Sequence, residues 1–208
     1  MEKEKNQKKD SIKVIFLGNE TVGKTALINA YNDKNFTINS MSTIGAEFIY
    51  KKLKIDEKEY IIQLWDTAGQ EKFRAVAKIY FKGSDIVIFV YDVTNQKSFN
   101  DLGEFWIGYV KECIKDDIVF GIAANKMDLF DSIKVEKEIG QKLAADNGAL
   151  FCETSAKEDS QGFKRFVDKL VREYISKKKN KPKEQNINLN KNVVKKKKGK
   201  KLLLNYIF

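Results

Sequence analysis

Residues 18–25, Gly-Asn-Glu-Thr-Val-Gly-Lys-Thr, concentrate more chemistry than any other stretch of this 208-residue chain. Their spacing fits G-x-x-x-x-G-K-[ST], a loop that wraps backbone N–H groups around a chain of phosphates. Gly18 and Gly23 let the backbone turn and approach where a Cβ would clash, with Asn19, Glu20, Thr21 and Val22 making the turn between them. Lys24 brings a point charge to the outer phosphates, and the Thr25 hydroxyl is a Mg²⁺ ligand. The helix that follows the loop would aim its positive end at the same anion. The expectation is a nucleoside triphosphate site. The alternative, a chance glycine-rich turn, does not account for the apolar run before the loop or the helical pattern after it.

Three later stretches complete a constellation. Trp65-Asp66-Thr67-Ala68-Gly69-Gln70 closes an apolar segment. A carboxylate at Asp66 can hold Mg²⁺ directly or through water, Gly69 lets its N–H approach a γ-phosphate, and the Gln70 amide can orient a water. Asn125-Lys126-Met127-Asp128 follows another apolar segment. The Asp128 carboxylate can accept two hydrogen bonds, from the ring N–H and the exocyclic amine of guanine. Adenine has no such donor pair and would leave the charge unpaired. Thr154-Ser155-Ala156-Lys157 follows the last apolar segment, where a small residue at 156 lets a backbone N–H reach the guanine carbonyl oxygen. That tetrapeptide is weak evidence alone.

The elements that must hold these residues are legible. Ile12–Leu17 reads as a buried strand and Ala26–Tyr31 as a helix. Ala46–Ile55 and Tyr60–Trp65 read as a hairpin across the polar Asp56–Glu59, and Ala75–Phe81 as a short helix. Asp85–Tyr91 and Ile118–Ala124 are continuous apolar runs, typical of strands covered on both faces. Ser98–Cys113 carries Phe99, Leu102, Phe105, Trp106, Tyr109 and Val110 at near-helical spacing. A helix over Glu136–Asn147 stops at Gly148, Ala149–Glu153 is a last strand, and Gly162–Ile175 a last helix with Phe163, Phe166, Val167 and Leu170 inward. Alternating strands and helices predict an α/β, three-layer P-loop NTPase sandwich with a six-stranded, mostly parallel sheet flanked by helices. Ligands of such sheets bind beyond the carboxyl ends of the strands, where every motif above falls.

Composition narrows the function. The chain contains no histidine, which removes imidazole metal sites and histidine-based catalysis, and its two cysteines, Cys113 and Cys152, make no disulfide framework. Buried thiols in a reducing, cytoplasmic setting are expected. There is no apolar run long enough to span a membrane and no signal-peptide pattern. The net charge of +10 is uneven: residues 177–208 hold twelve lysines against the single acid Glu184, a net +11, leaving −1 on the remainder. The basicity belongs to a tail, which argues against specific nucleic-acid binding by the domain. Three segments are expected: a disordered arm over 1–10, a globular domain over 11–176 and a flexible lysine-rich tail with an apolar end over 177–208.

Over residues 11–176 the chain resembles the Ras superfamily of small GTPases, most nearly its Rab branch. The resemblance rests on Ser42–Phe48 (STIGAEF), Gln63–Phe73 (QLWDTAGQEKF), Ile79–Ser84 (IYFKGS), Val90–Thr94 (VYDVT) and Glu153–Lys157 (ETSAK). It implies a monomeric GTP/GDP switch acting in vesicle or membrane traffic, with Mg²⁺ as cofactor. Thr43 would ligate Mg²⁺ and touch the γ-phosphate, Asp66 would hold the metal at second remove, and Gln70 would position the attacking water beside Lys24. Phe36 would pack on the guanine and Lys126 along its other face. Ile44, Phe48 and Trp65 would form an apolar patch read by effectors, or else simply pack in the core. Exchange factors, activating proteins and effectors would meet residues 36–48 and 66–81. No arginine lies between residues 26 and 43, so slow hydrolysis, accelerated by an activating protein, is expected.

Two departures stand out. Glu20 occupies a position where many members carry glycine. Its charge would sit near the γ-phosphate and Gln70 and give a module that hardly hydrolyses, unless it points to solvent. The tail ends Lys195–Lys201 and then Leu-Leu-Leu-Asn-Tyr-Ile-Phe, with no cysteine after Cys152. No C-terminal prenylation is therefore expected. The tail reads as a peripheral anchor on an anionic, cytosol-facing membrane, a nuclear or nucleic-acid signal, or a solvated or misassigned end. A nucleotide kinase is a remote alternative, since residues 125–128 suit a base and no second-substrate lid is visible.

Overall fold

A computed structural model describes residues 10–33, 43, 46–67, 79–80, 82–114 and 118–180. Phe36, Ile44, Gly69 and Gln70 lie outside the described residues. So do most of the short helix expected over 75–81, the N-terminal arm through residue 9, and the chain from residue 181.

The elements run β1 (Ser11–Leu17), α1 (Lys24–Tyr31), β2 (Ala46–Ile55), β3 (Lys58–Thr67), β4 (Ile86–Asp92), α2 (Gln96–Asp101), a π-turn (Leu102–Trp106) and α3 (Ile107–Cys113). After them come β5 (Val119–Asn125), a 3₁₀ turn (Phe130–Ser132), α4 (Lys137–Asp146), β6 (Leu150–Glu153) and α5 (Ser160–Asn180). The strands form one six-stranded sheet in the order β2-β3-β1-β4-β5-β6. β2 pairs antiparallel with β3, and every other pairing is parallel. The mostly parallel sheet expected from the alternation is present.

Both faces of the sheet are covered, which is why the central strands are mostly apolar on both sides. From β1, Ile12, Val14 and Phe16 face one layer, built with Leu27 and Ile28 of α1 and Phe163, Val167 and Leu170 of α5. Ile15 and Leu17 face the other, with Leu102, Trp106, Ile107 and Val110. β4 divides in the same way, and all seven of its residues are buried. Each fully buried Leu, Ile or Phe contributes about 1.5–3 kcal/mol through removal from water, so these two layers fix the positions of the loops at the strand ends.

Three local features differ from the sequence expectation. The helix expected over Ser98–Cys113 is interrupted by the π-turn, where the Ile107 N–H bonds back to the Leu102 carbonyl. α5 continues beyond Ile175 to Asn180, because Lys177 pairs with Glu173 one turn back and Lys178 lies over the Tyr174 ring. Cys113 and Cys152 are free but only partly buried. Burial still pushes the Cys152 thiol well up, with Asp159 and Glu153 adding to the shift.

Candidate functional site

The phosphate loop begins where β1 leaves the sheet. Gly18 sits at φ 145°, and a Cβ there would lie 2.2 Å from the Val90 carbonyl oxygen, a backbone atom that cannot swing aside. Gly23 sits at φ 96°, and its Cβ would lie 2.3 Å from the Asn125 side-chain nitrogen. Both positions therefore require glycine for conformation and for space. Thr21 takes a left-handed φ of 60° inside the same turn. Val22 is buried, whereas Glu20 is exposed.

α1 starts at Lys24, whose ammonium curls back to donate to the carbonyls of Gly18 at 2.9 Å and Asn19 at 2.7 Å. The lysine is only 5 % exposed. Burial lowers its pKa to about 8, while the charges of Asp66 and Glu20 act in the opposite sense. A buried ammonium on two carbonyls at the mouth of a helix is a fitting partner for an anion.

Beside it, three oxygens converge from three parts of the chain. The Thr25 hydroxyl, at the start of α1, donates to Asp66 Oδ2 at 2.5 Å. The Thr43 hydroxyl, from the α1–β2 connection, donates to the same oxygen at 3.1 Å and lies 3.1 Å from Thr25 Oγ1. Asp66 enters from the end of β3. It is 5 % exposed, and its Oδ1 has no hydrogen-bond partner among the described residues. Burial raises its pKa, with the Thr25 hydroxyl, the Lys24 charge and the Thr43 hydroxyl pulling it down. A buried carboxylate with two hydroxyls gathered on one oxygen and the other oxygen left open suits a hard divalent cation. The fit to Mg²⁺ is good: Thr25 and Thr43 would ligate, Asp66 would hold the ion directly or through water, and phosphate oxygens would complete the octahedron. The ion would neutralise charge on the outer phosphates.

The base side of the site is built from the ends of β5 and β6. Asn125 is 1 % exposed. Its amide nitrogen donates to the Val22 carbonyl at 2.8 Å, and its amide oxygen accepts from the Ala156 N–H at 3.2 Å. Asn125 thus ties the phosphate loop to the loop after β6 and positions both. The Ala156 N–H, expected to face a ligand, is turned to Asn125. Ser155 donates from its hydroxyl to Asp128 Oδ1 at 2.6 Å and accepts from the N–H groups of Lys157 and Glu158, at 3.2 and 3.0 Å. That bond orients the Asp128 carboxylate at the rim. Lys126 takes a left-handed φ of 68°, and its ammonium meets Asp92 Oδ2 at 2.7 Å. The Lys157 ammonium lies 3.6 Å from Glu158.

Asp92 is a residue that the sequence reading passed over. Only 6 % exposed, it holds Lys126 through one oxygen and the Thr94 N–H and hydroxyl through the other, at 2.8 and 2.7 Å. The available signal was its place at the end of an apolar run, in Val90–Thr94. Asn19 was read only as a link in the loop, yet its side chain meets Asp101 and Trp106. On the outer face, Phe48 is 48 % exposed and Tyr50 61 %, with Phe48 packed on Trp65 at 4.9 Å between ring centres. Core packing does not describe Phe48.

Comparison with known proteins agrees with this geometry. The model of the Ras family matches residues 13–176. The Ras-related protein Rab-8B of Homo sapiens is 38 % identical over 165 residues, covering 79 % of each chain. The Ras-related protein Rab-8 of Diplobatis ommata is likewise 38 % identical over 165 residues, covering 79 % of this chain and 78 % of its own. The Ras-related protein Rab-8A of Mus musculus is 40 % identical over 145 residues, 70 % of each chain. A match over residues 13–176, carried on this sheet order, shows that the protein belongs to the Ras family of small GTPases.

Proposed function

We propose that the chain is a Rab-like switch that binds GDP and Mg-GTP, hydrolyses GTP slowly and serves membrane traffic. The convergence of Thr25, Thr43 and Asp66 within 2.5–3.1 Å carries the reading. It joins the phosphate loop to the α1–β2 connection and to the end of β3. A third phosphate with its Mg²⁺ would bond at this junction and order the two connections, and its loss would release them. Lys24 holds the outer phosphates, Asp128 reads the base, and Gln70 would orient the attacking water. The exposed Phe48 beside Trp65 gives an effector an apolar foothold on the strand that follows the first of these connections.

Slow turnover follows from composition. No arginine in the 26–43 stretch supplies a cationic finger in cis, so the transition-state charge waits for one from an activating protein. Purified chain is expected to retain GDP and GTP over ADP and ATP, with single-turnover phosphate release that is slow alone and accelerated by a cell extract. Fast release by the purified protein would reject the need for a partner. Equal retention of ADP would reject the guanine assignment.

Glu20 supports a second reading, a GTP-bound module that barely turns over. Its exposure favours the alternative in which it points to solvent, but its charge still acts on Lys24. Under this reading Glu20→Gly raises extract-stimulated hydrolysis by about tenfold, the scale of one misplaced charge near a developing one. Equal rates for the two proteins would leave the hydrolysing switch.

A further inference from the structure

The phosphate loop is bound sideways to the helical layer on the opposite face of the sheet from α1. The Asn19 side chain donates from Nδ2 to Asp101 Oδ2 at 2.6 Å and accepts at Oδ1 from the Trp106 indole N–H at 3.1 Å. Both ends of one amide are thus engaged, and exchanging its oxygen and nitrogen would set donor against donor at Trp106 and acceptor against acceptor at Asp101. Trp106 is 1 % exposed and fixed within the core that contains Leu102 and Ile107. The Asp101 side chain is 16 % exposed, and its Oδ2 also accepts from the Lys97 ammonium at 2.8 Å.

The π-turn makes this arrangement feasible. Asp101 and Trp106 are five positions apart, and in a regular α-helix side chains at that spacing diverge by about 140°. The wider turn, closed by the bond from Ile107 N–H to Leu102 O, brings position i+5 back towards position i. Asp101 and Trp106 then present an acceptor and a donor to the same amide. π-turns of this kind are frequent at functional sites.

What the amide fixes is the Asn19 peptide, and the Asn19 carbonyl is one of the two that receive the Lys24 ammonium, at 2.7 Å. We propose that Asn19 is a positioning residue, and that Asp101 and Trp106 clamp it so that the loop keeps Lys24 aimed at bound phosphates and holds the nucleotide longer. The clamp acts through Asn19, and neither Asp101 nor Trp106 belongs to the site described above. The proposal rests on the guanine-nucleotide reading of that site.

The test is the release rate of a fluorescent GDP analogue from the full chain. Asp101→Ala removes the acceptor and is expected to speed release by about 3- to 10-fold, the scale of one charge-assisted hydrogen bond partly transmitted to the ligand. Asp101→Asn keeps an oxygen for the Asn19 amide and is expected to stay within about twofold of the native rate. In Asn19→Ala, adding Asp101→Ala should change nothing further, because the two act as one unit. The chain has two tryptophans, so Trp65→Phe leaves Trp106 as the only indole emitter. Its emission should then move on nucleotide loading, and Asp101→Ala should abolish that movement. Native release by Asp101→Ala, equally fast release by Asp101→Asn, additive effects with Asn19→Ala, or emission blind to loading would each overturn the clamp. A native chain that retained no guanine nucleotide would overturn the underlying reading, and the clamp with it.

Discussion

At the scale of single residues, Asp128 is the place where base choice can be measured. Its Oδ1 takes the Ser155 hydroxyl at 2.6 Å, which sets the plane of the carboxylate. A guanine would offer it a ring N–H and an amine. Hypoxanthine offers the ring N–H alone, so one hydrogen bond to a charged acceptor is lost, worth about 1.5–3 kcal/mol. Inosine diphosphate should therefore bind about 10- to 100-fold more weakly than GDP. Asp128→Ala should weaken both and remove the gap between them, as competition binding would read directly. A gap that survives in Asp128→Ala would show that another group reads the amine. The positions of Asp128, Lys24 and Thr25 beyond the strand ends were legible in the sequence because motif spacing sets them after β1 and β5. Asp92 was not. Its work is to hold Lys126 and Thr94, and a lone carboxylate in Val90–Thr94 carries no spacing that declares partners across another strand.

At the scale of elements, the α1–β2 connection and the end of β3 meet the phosphate loop only through Thr43, Asp66 and Thr25 among the described hydroxyl and carboxylate contacts here. Thr25 and Asp66 sit on α1 and β3, anchored by the core, whereas Thr43 arrives on a connection. Thr43→Ala is expected to weaken a non-hydrolysable GTP analogue by about tenfold, the loss of one charge-assisted contact, and to leave GDP binding nearly unchanged. Equal losses for both nucleotides would mean that Thr43 is simply part of the fold. The central strands β4 and β5 were readable because a strand buried on both faces must be nearly all apolar, and only their last residues, Asp92 and Asn125, turn polar at the site. The π-turn was not readable. Phe99, Leu102, Trp106 and Val110 satisfy helical spacing whether or not one turn is widened, and the contact that uses the widening, Asn19 to Asp101, is 82 positions apart in sequence. The end of α5 was missed for a similar reason: apolar spacing stops at Ile175, but Lys177 and Lys178 continue the helix through contacts with Glu173 and Tyr174.

At the scale of the whole molecule, the candidate site and the C-terminal end of α5 lie at opposite ends of the parallel strands. The phosphate loop, Asp66, Asn125 and Thr154 lie at the carboxyl ends of the parallel strands. α5 runs back from that edge, and near its far end the Tyr174 hydroxyl donates to Asp85, at the entry to β4. α5 therefore ends away from the site, and the sequence that follows Asn180 holds nine lysines and one glutamate over residues 181–208. Each lysine close to an anionic bilayer contributes about 1 kcal/mol, and the attraction decays over a Debye length of about 8 Å at physiological salt. The full chain should sediment with phosphatidylserine-containing vesicles and not with neutral ones. Raising salt to about 0.5 M should release it, and deleting residues 181–208 should abolish the binding. Vesicle binding that survives the deletion would place the membrane contact on the folded domain. Displacement of the chain from vesicles by a trace of RNA would mark the tail as a nucleic-acid ligand instead, since the same lysines then prefer the denser array of phosphates.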